Sequence, residues 1–141
     1  MTYFSSKNIF DSRLSRSKRS LFKKITKKSP KLFLRGGDVI STGALLEGVH
    51  EKPLTNMIKY YVKNNLSDFF IDIGANIGLT SCQNGADFKR VVCFEPNRLC
   101  ANILKTNLAI SLPKGNFVIN EFALGDADGS YELYVPKSNW G

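Results

Sequence analysis

The chain has 141 residues, 43% apolar and 23% charged, which is the composition of one globular domain that needs no disulfide framework. No run approaches the ~18 apolar residues of a membrane span, so an integral helical membrane protein is excluded. The net charge of +8 is uneven: residues 1–35 hold 11 of the 20 Lys and Arg and one of the 12 acids, leaving −2 for residues 36–141, so the basic pI is no argument for specific nucleic-acid binding.

Residues 1–35 form a leader rich in Ser, Lys and Arg. No continuous apolar stretch follows its first charges, which argues against a secretory signal; the composition also fits an organelle transit peptide. From Ser12 to Lys28, Leu14, Leu21, Phe22 and Ile25 fall at helical offsets 0, 7, 8 and 11, with basic residues on the other side. Such a segment suits an anionic membrane surface or RNA phosphates, or stands as a solvated extension. Ser29-Pro30 should end any helix.

Residues 36–141 read as a separate unit of short elements. Pro53 to Asn64 is an amphipathic helix, with Leu54, Met57, Ile58, Tyr61 and Val62 on the buried face. Phe69 to Ile73 reads as a strand buried on both faces, followed by a turn over Gly74–Gly78 and a short helix to about Asn84. Arg90 to Glu95 is a second buried strand. Pro96 opens a helix to about Ile110, with Leu99, Cys100, Ile103, Leu104 and Leu108 as its apolar stripe. Phe117 to Leu124 is a third strand. Ser130 to Val135 alternates with period 2 and predicts an added hairpin strand, with Tyr131, Leu133 and Val135 on its buried side.

Strands alternating with helices predict an α/β fold with a mainly parallel sheet, and ligands then bind beyond the carboxyl ends of the strands. Chemistry is therefore expected at Asp72–Gly78, Glu95–Asn97 and Phe122–Asp126. Cys82, Cys93 and Cys100 lack paired metal spacing, and two of them lie in apolar runs and read as reduced core residues. That suits a cytoplasmic chain, peripheral to a membrane if the leader binds one.

The informative stretch is Asp72-Ile73-Gly74-Ala75-Asn76-Ile77-Gly78, followed by Glu95-Pro96-Asn97. Gly74 lets the chain turn sharply off its strand. The small Ala75 and Gly78 let backbone approach a ligand and let the helix pack close to the sheet. An acid at the tip of the next strand, Glu95, suits a pair of ribose hydroxyls. The turn lacks the Gly-x-Gly-x-x-Gly dinucleotide fingerprint and no Gly-Lys-Ser/Thr follows it, so S-adenosyl-L-methionine is favoured over NAD or ATP.

FFIDIGANIGLTS, VVCFEPN and INEFALGDADGSYELYV together resemble the FkbM family of S-adenosylmethionine-dependent methyltransferases, over roughly residues 47–141. The resemblance implies a Rossmann-like methyltransferase that moves a sulfonium methyl to a hydroxyl on a sugar or other small-molecule or glycan acceptor. It implies that Asp72, Gly74, Asn76 and Gly78 shape the cofactor turn, that Glu95 holds the ribose, and that backbone near Ala123 and Leu124 borders the adenine. Family members usually continue with further strands and a Lys-x-Asp-x-Glu-Gly-like segment that is missing here. The chain is therefore expected to be a truncated domain with an unpaired apolar sheet edge, which leaves its activity alone open.

Other candidates are weaker. His50-Glu51 could pair as base and orienter, Thr80 and Ser81 could meet a carboxylate, and Asn139-Trp140-Gly141 could border an acceptor. Asp126 and Asp128 read as a turn, and no metal site is expected. No general base is assigned. The alternative function is a non-enzymatic remnant whose basic leader binds an anionic membrane or nucleic acid.

Overall fold

Two consecutive strand–helix–strand crossovers build the body of the protein. The computed structural model describes residues 12–25 and 31–136. In chain order the elements are α1 (Ser12–Ile25), α2 (Val39–Glu47), α3 (Lys52–Lys63), β1 (Phe69–Ile73), α4 (Leu79–Asn84), a 3-10 turn (Gly85–Asp87), β2 (Arg90–Phe94), α5 (Arg98–Ser111) and β3 (Phe117–Asn120). The strands form one parallel sheet in the order β1-β2-β3, with Ile71 opposite Val92 and Cys93 opposite Ile119. The architecture is α/β and compatible with a Rossmann-like fold.

Helix ends follow from capping chemistry. Asp38 accepts a hydrogen bond from the Ser41 N–H at 2.9 Å to start α2, and Gly48 closes it in the left-handed region with its N–H on the Ala44 carbonyl. This helix was not anticipated, although both caps are legible in the sequence. Asn97, not Pro96, caps α5 by accepting from the Leu99 N–H at 3.0 Å. Pro96 therefore lies in the loop that leads to the helix, one residue before its cap.

The core lies between one sheet face and α4–α5. Side chains alternate along a strand, so Phe70, Val91, Cys93, Phe117 and Ile119 face the helices and pack with Leu104, Leu108 and Leu112. Each fully buried Leu contributes about 1.5–3 kcal/mol of burial energy. A smaller cluster joins Ala44 of α2 to Ile77, Leu79 and Cys100, with Leu32 and Leu34 seated against it.

The structure overturns several expectations. β1 is not buried on both faces: Phe69, Ile71 and Ile73 are 64%, 59% and 64% exposed. Both crossover helices cover the same face, and among the described residues β1 has only β2 beside it. The third strand stops at Asn120, because the chain then bends so that Phe122 meets Phe94 edge-on at 5.6 Å. The predicted hairpin strand is absent. Residues 130–136 form no strand, and Tyr131 and Leu133 are exposed. That segment crosses the carboxyl ends of the strands, so no sheet edge runs beside it to pair with. Met57, Tyr61 and Leu99, expected in the core, are also exposed, because a single neighbouring layer covers only a narrow stripe of each helix.

Candidate functional site

The site forms where β1 hands over to α4. Gly74, Asn76 and Gly78 take positive φ of 74°, 50° and 87°. Glycine adopts that region freely and Asn tolerates it better than most residues, which accounts for this residue order. The Gly74 and Ala75 N–H groups both donate to the Phe94 carbonyl, at 2.9 and 3.0 Å, tying the turn to the end of β2. A Cβ on Gly78 would sit 2.5 Å from Leu104 Cδ1, so glycine is required there for α4 to pack on α5. A Cβ on Gly74 would meet nothing within 4 Å, and that open space belongs to a cavity.

Glu95 stands across this turn. It is 5% exposed, and its Oε2 accepts from the Asn76 N–H while its Oε1 accepts from the Asn97 N–H, both at 2.7 Å. Its own N–H donates to the Asn120 carbonyl at 3.0 Å. Two backbone donors thus fix the head group at the mouth of the glycine turn. An ionised carboxylate has about four acceptor positions, so two backbone bonds leave about two for a ligand.

Gly74, Ala75, Asn76, Glu95, Pro96 and Asn97 line one cavity of about 660 Å³, with Asp72 also in its wall. Gly78 lies just outside it, holding the helices together. Ala123 and Leu124 line a neighbouring cavity of about 630 Å³ that meets the first at Pro96 and Leu133. Asn139, Trp140 and Gly141 lie outside the described residues.

Asp72 occupies the helix-facing side of β1 and accepts a hydrogen bond from the Ser81 hydroxyl. Burial pushes its carboxyl above the usual aspartate value, opposed by that bond. Ser81 is fully buried and also meets Cys93 Sγ at 3.3 Å, so it braces the core and does not face a ligand; Thr80 lines the cavity. Burial also raises the thiols of Cys82, Cys93 and Cys100 to about 11.

His50 and Glu51 close the cavity from the start of α3. The His50 N–H donates to Gln83 Oε1 at 2.7 Å, and Gln83 Nε2 returns a bond to the His50 carbonyl at 3.3 Å. Glu51 takes φ 45°, ψ 63°, a left-handed conformation uncommon for a non-glycine residue. Gln83 and the wall residues Tyr134–Pro136 were missed from sequence, since nothing in local spacing marks a partner 33 residues away. Among the described residues no group of three or more His, Cys, Asp or Glu could hold a metal, and Asp126 and Asp128 sit in an exposed loop.

The cavity wall carries three carboxylates, Glu51, Asp72 and Glu95, and no Lys or Arg among the described residues. Such a wall disfavours phosphate-rich ligands. No protein-family model and no curated protein matches the chain.

Proposed function

We propose that the chain binds S-adenosyl-L-methionine in the Gly74–Asn97 cavity and belongs to a methyltransferase acting on a hydroxyl of a small-molecule or glycan acceptor. The observation that carries this reading is the Glu95 carboxylate, buried and accepting hydrogen bonds from two backbone N–H groups across a glycine turn. The donor set fits such a ligand. Glu95 retains acceptor capacity for two vicinal sugar hydroxyls, and Gly74 leaves room for close backbone approach. The absence of Lys and Arg from the described wall suits a sulfonium better than a pyrophosphate. S-Adenosyl-L-methionine, when bound, supplies an electrophilic methyl group. The protein's part is to hold the sugar at Glu95, to shape the floor with Gly74–Asn76, and to narrow the far end with His50 and Glu51. The nearby Ala123–Leu124 cavity suits the base.

Titration calorimetry with the full chain tests the reading. S-Adenosyl-L-methionine and S-adenosylhomocysteine should bind, with ATP and NAD weaker. Glu95→Ala should weaken the first two about 30- to 100-fold, the worth of a charge-assisted hydrogen-bonded pair. Binding of ATP or NAD as tight as that of the sulfonium ligand, or unchanged binding in a folded Glu95→Ala variant, would overturn it.

A further inference from the structure

α1 is the one described element whose composition the nucleoside cavity does not explain. Its sequence, SRLSRSKRSLFKKI, carries six cations and no acid. Lys18, Arg19, Lys23 and Lys24 are exposed, and Leu21 is 60% exposed. On a 3.6-residue helix, positions 13, 16, 19, 23 and 24 fall on one arc. Positions 14, 21, 22 and 25, all apolar in sequence, fall on the arc opposite. Lys18 interrupts the apolar arc, where a long methylene stem lets an ammonium reach outward.

This pattern discriminates between partners. RNA phosphates call for cations alone, and four large apolar residues in helical register would then serve nothing. A bilayer surface calls for both: anionic headgroups for the cations and the acyl boundary for the apolar arc. Fourteen residues span about 21 Å, short of the ~30 Å hydrocarbon core, and no described helix is long and apolar enough to cross a membrane. A helix of this pattern suits the plane of a bilayer surface.

The attachment point is built. The Phe33 N–H donates to Asn107 Oδ1 at 2.7 Å, and Asn107 Nδ2 donates to the Phe33 carbonyl at 3.0 Å and to the Ile77 carbonyl at 2.8 Å. Asn107 is fully buried in α5. The base of the leader is thus pinned to the helix layer and, through Ile77, to the glycine turn.

We infer that α1 docks this protein on an anionic lipid bilayer, with its apolar arc at the acyl boundary and its cations among the headgroup phosphates. The inference does not depend on the methyl-donor reading. Vesicle co-sedimentation of the full chain tests it, comparing phosphatidylcholine alone with a mixture containing about one-third phosphatidylglycerol. Binding should require the anionic lipid and fall with added salt. Lys18→Gln/Lys23→Gln/Lys24→Gln should lower partitioning about a hundredfold, at about fivefold per cation. Leu21→Ser should lower it about tenfold while leaving any association with a single-stranded RNA oligonucleotide unchanged. Glu95→Ala should bind vesicles as wild type does, which separates this result from the fate of the nucleoside site. Equal binding to neutral vesicles, or a Leu21→Ser variant that keeps full vesicle binding, overturns the inference in favour of a purely electrostatic contact such as RNA.

Discussion

Gly78→Ala isolates the packing that lets the glycine turn exist. Gly78 sits at φ 87°, ψ 24°, a left-handed conformation that costs an L-residue about 1–2 kcal/mol. The added methyl would also stand 2.5 Å from Leu104 Cδ1 and 3.5 Å from Cys82 Sγ. Leu104 is fully buried against Val91, Cys93 and Leu108, so it can yield only by displacing the core, at about 1–3 kcal/mol. Restricting the unfolded chain returns about 0.4–1 kcal/mol. The net expectation is a loss of about 1–5 kcal/mol, a large share of the stability of an ordinary domain. Urea unfolding followed by far-ultraviolet circular dichroism measures it, with the midpoint lowered and the slope unchanged. Combining Gly78→Ala with Leu104→Ala should recover the steric part as a coupling energy of about 1–3 kcal/mol, while the backbone strain stays. A loss under about 0.5 kcal/mol for the single variant would refute the argument, and near-zero coupling would remove its steric half.

Asp72 should make stability depend on pH. Burial raises its carboxyl above the ordinary 3.8, so the folded state favours the proton. Its charge then costs stability at neutral pH, and that cost is relieved as pH falls through the raised value and is gone below 3.8. Asp72→Asn, which can still accept from Ser81, should be more stable than wild type at pH 7, with the gap closing towards pH 4; a pH-independent gap would contradict this. The three thiols, raised to about 11, should label slowly with iodoacetamide at pH 8, because only about a thousandth is thiolate, and at least about a hundredfold faster in urea. Any of them labelling at the unfolded rate in native buffer would count against that burial. Asn107→Ala removes three hydrogen bonds and should cost about 2–4 kcal/mol while speeding proteolysis within residues 31–35. Unchanged unfolding and cleavage would show that the leader is held elsewhere.

Local conformation was legible in residue order. Gly74, Asn76 and Gly78 are the residue types that tolerate positive φ, and the turn forms where they stand. The strands at Phe69–Ile73 and Arg90–Phe94, and the helices over Lys52–Lys63 and Arg98–Ser111, lie within two residues of where periodicity and proline placed them. Glu95 at the tip of β2 follows from the same reading, since a strand end and a following turn are local features. The Ser130–Val135 segment shows the limit. Its alternation is that of a strand, yet a strand exists only where an edge accepts its hydrogen bonds, and this segment crosses the ends of the sheet instead.

Residue identity by itself determined the parallel α/β character, the glycine turn and the acid opposite it, because each arises from φ preference, side-chain period or capping within a few residues. Only the tertiary structure decided that β1 bares Phe69, Ile71 and Ile73, that Ser81 turns inward to Asp72, that Gln83 clamps His50, and that Asn107 pins Phe33 to α5. These pairings join residues 9 to 74 positions apart, or depend on which face the crossovers cover. Short-range propensity is silent on both, since the partner comes into reach only once the sheet has formed.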